Sequence, residues 1–164
     1  MKKLIVLITV FSLGLSAFAS PKDFKGYRSE KFSYGLAFSK IVVEDNIDLV
    51  LYENATTNIQ FDGNQKDIAS IEWKVKKGVL YISSKNGPLK NKVIVTIDVA
   101  ALSDITLEGQ SSVRSLGNLN SPELNVFMKG GCFAAIRNTG AINVINTDDT
   151  DMNVIEMTGN VDVR

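Results

Sequence analysis

One short unit recurs between Ser103 and Val163, and it restricts the fold more than any other feature of this chain. The unit reads Ile105-Thr-Leu-Glu-Gly109, then Val126-Phe-Met-Lys-Gly130, then Ile155-Glu-Met-Thr-Gly159. Counting back from each glycine, the second residue is apolar (Leu107, Met128, Met157) and so is the fourth (Ile105, Val126, Ile155). That is the two-residue period of a strand with one buried face. Glu108, Lys129 and Thr158, next to the glycines, should face water. The gap from Gly130 to Gly159 is longer than the gap from Gly109 to Gly130, and a further apolar strand, Ala141 to Ile145, fits inside it. Short strands repeating at such intervals predict stacked coils, an all-β solenoid in which Leu107, Val126 and Met157 stack inward.

Upstream the strands come quickly. Ile41 to Glu44, Ile47 to Tyr52 and Thr57 to Phe61 are separated by turns at Asp45-Asn46 and Glu53-Asn54 and read as hairpins or tightly cornered coils. Gln65 to Ser70 is long enough for one helical turn. Ile71, Trp73 and Val75 then alternate with Glu72, Lys74 and Lys76, which places Trp73 in the core phase. Val79 to Ser83 follows the Lys77-Gly78 turn. Lys92 to Val99, apolar on both faces, suits a central strand covered on both sides. Ser112 to Ser115, Ala134 to Arg137 and Asn160 to Val163 are shorter strands joined by asparagine- and glycine-rich turns.

Residues 1–19 read as a cleavable secretory leader, with Lys2 and Lys3, an apolar centre from Leu4 to Leu15, and Ala17-Phe18-Ala19 before the cut. Removing it takes two of the 18 basic residues and leaves 16 against 18 acidic ones, a balance that argues against a nucleic-acid partner. Residues 20–37 form a polar arm, a mobile tether or loosely docked, and residues 38–164 form the folded domain. Cys132 is the only cysteine, so it has no internal disulfide partner, and its apolar, small-residue surroundings predict a buried inert thiol.

The run from Phe38 through Ile41-Val-Val-Glu-Asp-Asn-Ile-Asp-Leu-Val-Leu-Tyr52, with Gly78-Val-Leu-Tyr-Ile82, Val93 to Val99 and Leu102 to Gly109, resembles the family called "putative auto-transporter adhesin, head GIN domain". The resemblance covers about Phe38 to Val163. It implies an exported Gram-negative bacterial protein, found in the periplasm, at the outer-membrane surface or outside the cell. It further implies a single-stranded right-handed β-helix-like fold and a role in adhesion or surface binding.

The chain contains no histidine. A serine or cysteine nucleophile would need a lysine or carboxylate as its base, and no local signature points to one, so no catalytic residue is assigned. Asp148, Asp149 and Asp151 form the one acidic cluster that could serve chemistry. They read as a solvated corner first, then as a weak calcium site, although the cluster lacks the glycine and distal glutamate of a calcium loop. In a rival reading they act with Lys129 and Arg137 in a glycan-degrading enzyme on a β-helix. A purely structural envelope protein is a third reading. No cofactor is implied apart from that calcium.

Tyr52, Tyr81 and Phe127 are out of phase with their buried neighbours, so they are expected to face outward, where rings stack on sugars or peptides of an envelope or surface partner. A covering layer or the amino-terminal arm would instead make them core. The last strand, with Val161 and Val163 at an edge, predicts pairing with a second copy or a partner's strand, against the alternative that residues 20–33 fold back over it.

Overall fold

The computed structural model describes residues 26–33, 35, 37–54, 58–148, 153–154 and 158–163. Residues 1–19, expected to be a leader, and residues 155–157 of the third glycine unit lie outside them. The strands are β1 (Tyr27–Ser33), β2 (Lys40–Val43), β3 (Ile47–Tyr52), β4 (Asn58–Asn64), β5 (Ile71–Lys76), β6 (Val79–Ser84) and β7 (Val93–Asp98). They continue with β8 (Asp104–Gly109), β9 (Ser112–Leu119), β10 (Glu123–Gly130), β11 (Phe133–Asn146), β12 (Asn153–Val154) and β13 (Thr158–Val163). One helical turn, α1 (Gln65–Ser70), is capped by the Asn64 side chain, which accepts a hydrogen bond from the Lys66 amide. Among the described residues no helix is long and apolar enough to cross a membrane.

All the strands join in one curled sheet, and the alternation seen in the sequence decides what it curls around. Ile41, Val43, Ile47, Leu49, Ile105, Leu107, Val126 and Val144 fall in the buried phase and belong to one core. Burying side chains of this size is worth roughly 1.5–3 kcal/mol each. β11 makes the curl: its first half pairs with β9 and its second half with β10, with a register irregularity between Arg137 and Ala141 where it also pairs with β13. Two stacks of strands therefore flank the same core. One runs β5, β6, β2, β8, β10 and the second half of β11; the other runs β1, β4, β7, β3, β9 and the first half of β11.

From β8 onward the neighbouring strands of each stack run parallel and follow chain order. Val126 lies beside Ile105 of β8 and beside Val144 of β11. The first half of the chain departs from a regular solenoid. Stacked coils follow chain order, but β6 and β7 lie on one side of β2 and β3 while β8 and β9 lie on the other, so Ile41 and Ile105, distant in the chain, are direct neighbours. The reversal begins at Lys77 and Gly78. Their φ angles of 52° and 75° make a two-residue hairpin turn that sets β5 antiparallel to β6. β4 is likewise antiparallel to β7, and β1 to β4.

Three further expectations change. The described part of the arm is β1, paired with β4 along its whole length, so the sheet begins well before Phe38. β1 pairs with β4 at the far end of one stack while β13 pairs mainly with the second half of β11, so Tyr27–Ser33 does not cover the last strand. β7 is central but buried on one face, with Ile94 and Thr96 half-buried. Cys132 is fully buried as expected; burial pushes its thiol pKa up, and the thiol donates to the Lys129 carbonyl oxygen at 3.2 Å.

Candidate functional site

Tyr81 and Phe127 are half-buried and sit in one row across the outer face of the first stack. Cross-strand registers place Tyr81 beside Val42, Val42 beside Thr106, Thr106 beside Phe127 and Phe127 beside Ile145. With strands about 4.8 Å apart, the row is roughly 19 Å long and its two rings are about 14 Å apart. All five side chains are half-buried, although the alternation points them away from the core. Lys74 on β5 extends the row, its ammonium 5.9 Å from the centre of the Tyr81 ring.

Polar rows border this stripe on both sides. Two residues back along β2, β8, β10 and β11 lie Lys40, Asp104, Asn125 and Asn143, linked side chain to side chain. Lys40 pairs with Asp104 at 3.1 Å, Asn125 donates to Asp104 at 3.4 Å, and Asn143 donates to Asn125 at 3.0 Å. Burial works to raise the Asp104 carboxyl pKa, but the Ser103 hydroxyl, Lys40 and Asn125 together outweigh it and hold the carboxyl below its ordinary value. Two residues forward lie Glu44, Glu108 and Lys129, the last two facing each other across β8 and β10. There the face runs into a cleft of 480 Å³ where Glu44, Asp45, Asn46 and Glu108 face Leu89. The Asn46 side-chain oxygen is buried and has no hydrogen-bond partner among the described residues.

Tyr52 is also half-buried but belongs to β3, in the other stack, so it points away from the opposite side of the core. The three aromatic residues therefore do not share one face; Tyr81 and Phe127 do. Asp148 is committed to the backbone: its carboxylate accepts from the Gly130 amide at 2.8 Å, and Thr147 beside it donates to the Met128 carbonyl. Asp149 and Asp151 lie outside the described residues. Among the described residues no three acidic, cysteine or histidine side chains are placed to hold one metal ion. Lys129 and Arg137 sit on different stacks. Replacing Asp148 with alanine is expected to lower stability by about 1–3 kcal/mol, the cost of an unpaired amide in this part-buried position, while Asp148→Asn recovers most of it. Thermal melts of the two variants check this.

The sequence also concealed an aromatic cluster. Phe32 on β1, Phe61 on β4 and Trp73 on β5 have ring centres 5.9, 6.1 and 6.5 Å apart. β1 and β5 are the two ends of the strand path, so these rings bring the ends of the curled sheet together. Trp73 takes the core phase expected of it.

Fold and surface together define a class: all-β proteins built on one curled sheet, with a half-exposed apolar row on the outer face of its parallel strands. The chain belongs to the family described as "Putative auto-transporter adhesin, head GIN domain", whose model matches residues 37–164. Two solved structures share the fold, each described as a "putative adhesin". One, from Parabacteroides merdae ATCC 43184, matches with a TM-score of 0.52 at 11% identity, covering 85% of this chain and 96% of that one. The other, from Parabacteroides distasonis ATCC 8503, matches with a TM-score of 0.52 at 16% identity, covering 84% of this chain and 79% of that one. No curated protein matches the chain.

Proposed function

We propose that this protein is an exported, non-catalytic binding domain that engages an envelope or cell-surface component through the outer face of its parallel strands. The observation that carries the reading is the row Tyr81, Val42, Thr106, Phe127 and Ile145, a mainly apolar, half-exposed stripe bordered by polar residues on β2, β8 and β10. Interfaces concentrate their binding energy in such centrally placed aromatic residues ringed by polar groups. The adhesin description of the family agrees with a binding role. Export is supported by the leader-like residues 1–19. The coil-on-coil strands from β8 onward support a β-helix-like reading of that half of the domain.

The test is a binding measurement with the leader-free domain on the surface fraction of the cells that make it. Tyr81→Ala and Phe127→Ala should each weaken binding about tenfold, equivalent to about 1.4 kcal/mol. Tyr52→Ala should leave it unchanged. Melting temperatures of all three should stay within a few degrees, because half-exposed rings contribute little to folding. Unchanged binding by both row variants would refute the reading.

A further inference from the structure

The slot at the joined ends of the sheet offers a second site, independent of the outer row. A cavity of 200 Å³ lies beside Phe32, Phe61 and Trp73, floored by Ile68 and Ile71 of the helical turn and of β5, with Glu30 among its lining residues. Register explains how a carboxylate comes to stand there. On β1, Glu30 pairs with Phe61 and Phe32 with Ile59, so both β1 side chains share the inward phase of the buried residues of β4. β1 is an edge strand, and Phe32 stays 42% exposed, so its ring is open to a ligand. Around the slot are therefore the open ring of Phe32, the half-buried ring of Trp73 and one carboxylate, with the buried ring of Phe61 packed behind them. The basic side chain paired with Glu30 is Arg28, a contact of 3.4 Å made by a guanidinium that is 56% exposed. Exposed pairs of this kind are weak and exchange readily.

Aromatic faces carry negative quadrupole charge and favour a cation that has little hydration to lose; an adjoining carboxylate adds direct attraction. Methylated ammonium groups meet both conditions, since their charge is spread over apolar methyls. We propose that the slot bounded by Glu30, Phe32 and Trp73, and backed by Phe61, binds a small trimethylammonium compound, with the methyls against the Phe32 and Trp73 rings and the charge facing Glu30. A neutral apolar group of the same shape would gain the ring contacts and lose the charge attraction, and that difference makes the proposal testable.

Trp73 is the chain's one tryptophan, so its emission reports the slot directly. The leader-free domain is titrated with choline and, separately, with 3,3-dimethyl-1-butanol, the uncharged carbon analogue of choline. The expected result is a saturable change in emission with choline and binding at least tenfold weaker for the neutral analogue. Glu30→Gln should erase most of that preference. Phe32→Leu, which keeps apolar bulk but removes the ring, should weaken choline without changing the melting temperature by more than a few degrees. No saturable response to choline, equal binding of the two compounds, or a preference that survives Glu30→Gln would each overturn the proposal.

Discussion

Val126→Asp is expected to prevent the domain from folding. Val126 is fully buried and sits mid-stack, with Ile105 on one side and Val144 on the other in direct register. A carboxylate there loses its hydration and meets only apolar neighbours, and the backbone registers on both sides leave it no room to swing out. The group would take up a proton or unfold the site, at a cost of more than about 4 kcal/mol, a large part of the roughly 5–15 kcal/mol that holds an ordinary domain together. Glu108→Ala is the control. Glu108 is half-buried on the outer face opposite Lys129, and its loss should change stability by no more than about 0.5 kcal/mol. Denaturant melts of the two variants side by side check the inward and outward phase of the recurring unit. Equal stability would mean the phase is wrong.

Gly130→Ala should cost about 3 kcal/mol, for two separate reasons. Gly130 has φ of 91°, a backbone conformation that alanine adopts only with strain. A Cβ placed on it would also stand 2.5 Å from the carbonyl oxygen of Gly109, well inside van der Waals contact. The clash is with backbone and not with a side chain that could turn away, because Gly109 and Gly130 stack in register across β8 and β10. Relief requires the two coils to separate at their corner, where the Gly130 amide is held by Asp148. Gly131→Ala is the comparison, since among the described residues, its two chain neighbours aside, no heavy atom lies within 4 Å of the Cβ it would carry. A melting temperature for Gly130→Ala equal to that of Gly131→Ala would contradict the stacked corner.

The glycine unit shows what was legible in the sequence and where legibility stopped. Period-two alternation fixes which side of a strand is buried, and Leu107, Val126 and Met128 were read correctly because burial of one face is a local property. Which strands pair is not local. The third unit, ending at Gly159, has the same pattern as the first two, yet the coil that stacks on Val126 and Met128 is Ile142 to Asn146. That coil has no glycine at its corner; its Asp148 carboxylate reaches the Gly130 amide instead. Similarly, nothing in the local pattern says that β2 will meet β8 across the whole span of chain between them, or that β6 will lie on its other flank.

The candidate sites follow the same logic. Phase alone marked Tyr52, Tyr81 and Phe127 as outward, and all three are half-buried. Phase does not reveal that two stacks back onto one core, which sends Tyr52 to the far side. Phe32 was missed for a different reason. β1 is an edge strand, largely exposed on both faces, so it has no apolar periodicity to betray it, and Phe32 sits there among charged and polar residues.

Oxidative footprinting of the domain on its target surface tests the binding face most directly. Hydroxyl radicals modify accessible aromatic side chains, and peptide mass spectrometry reads Tyr52, Tyr81 and Phe127 separately in the free and bound protein. The outer-row reading predicts that Tyr81 and Phe127 are protected together on binding while Tyr52 keeps its free reactivity. Protection of Tyr52, with Tyr81 and Phe127 as reactive as in the free domain, would place the interface on the other stack and contradict it.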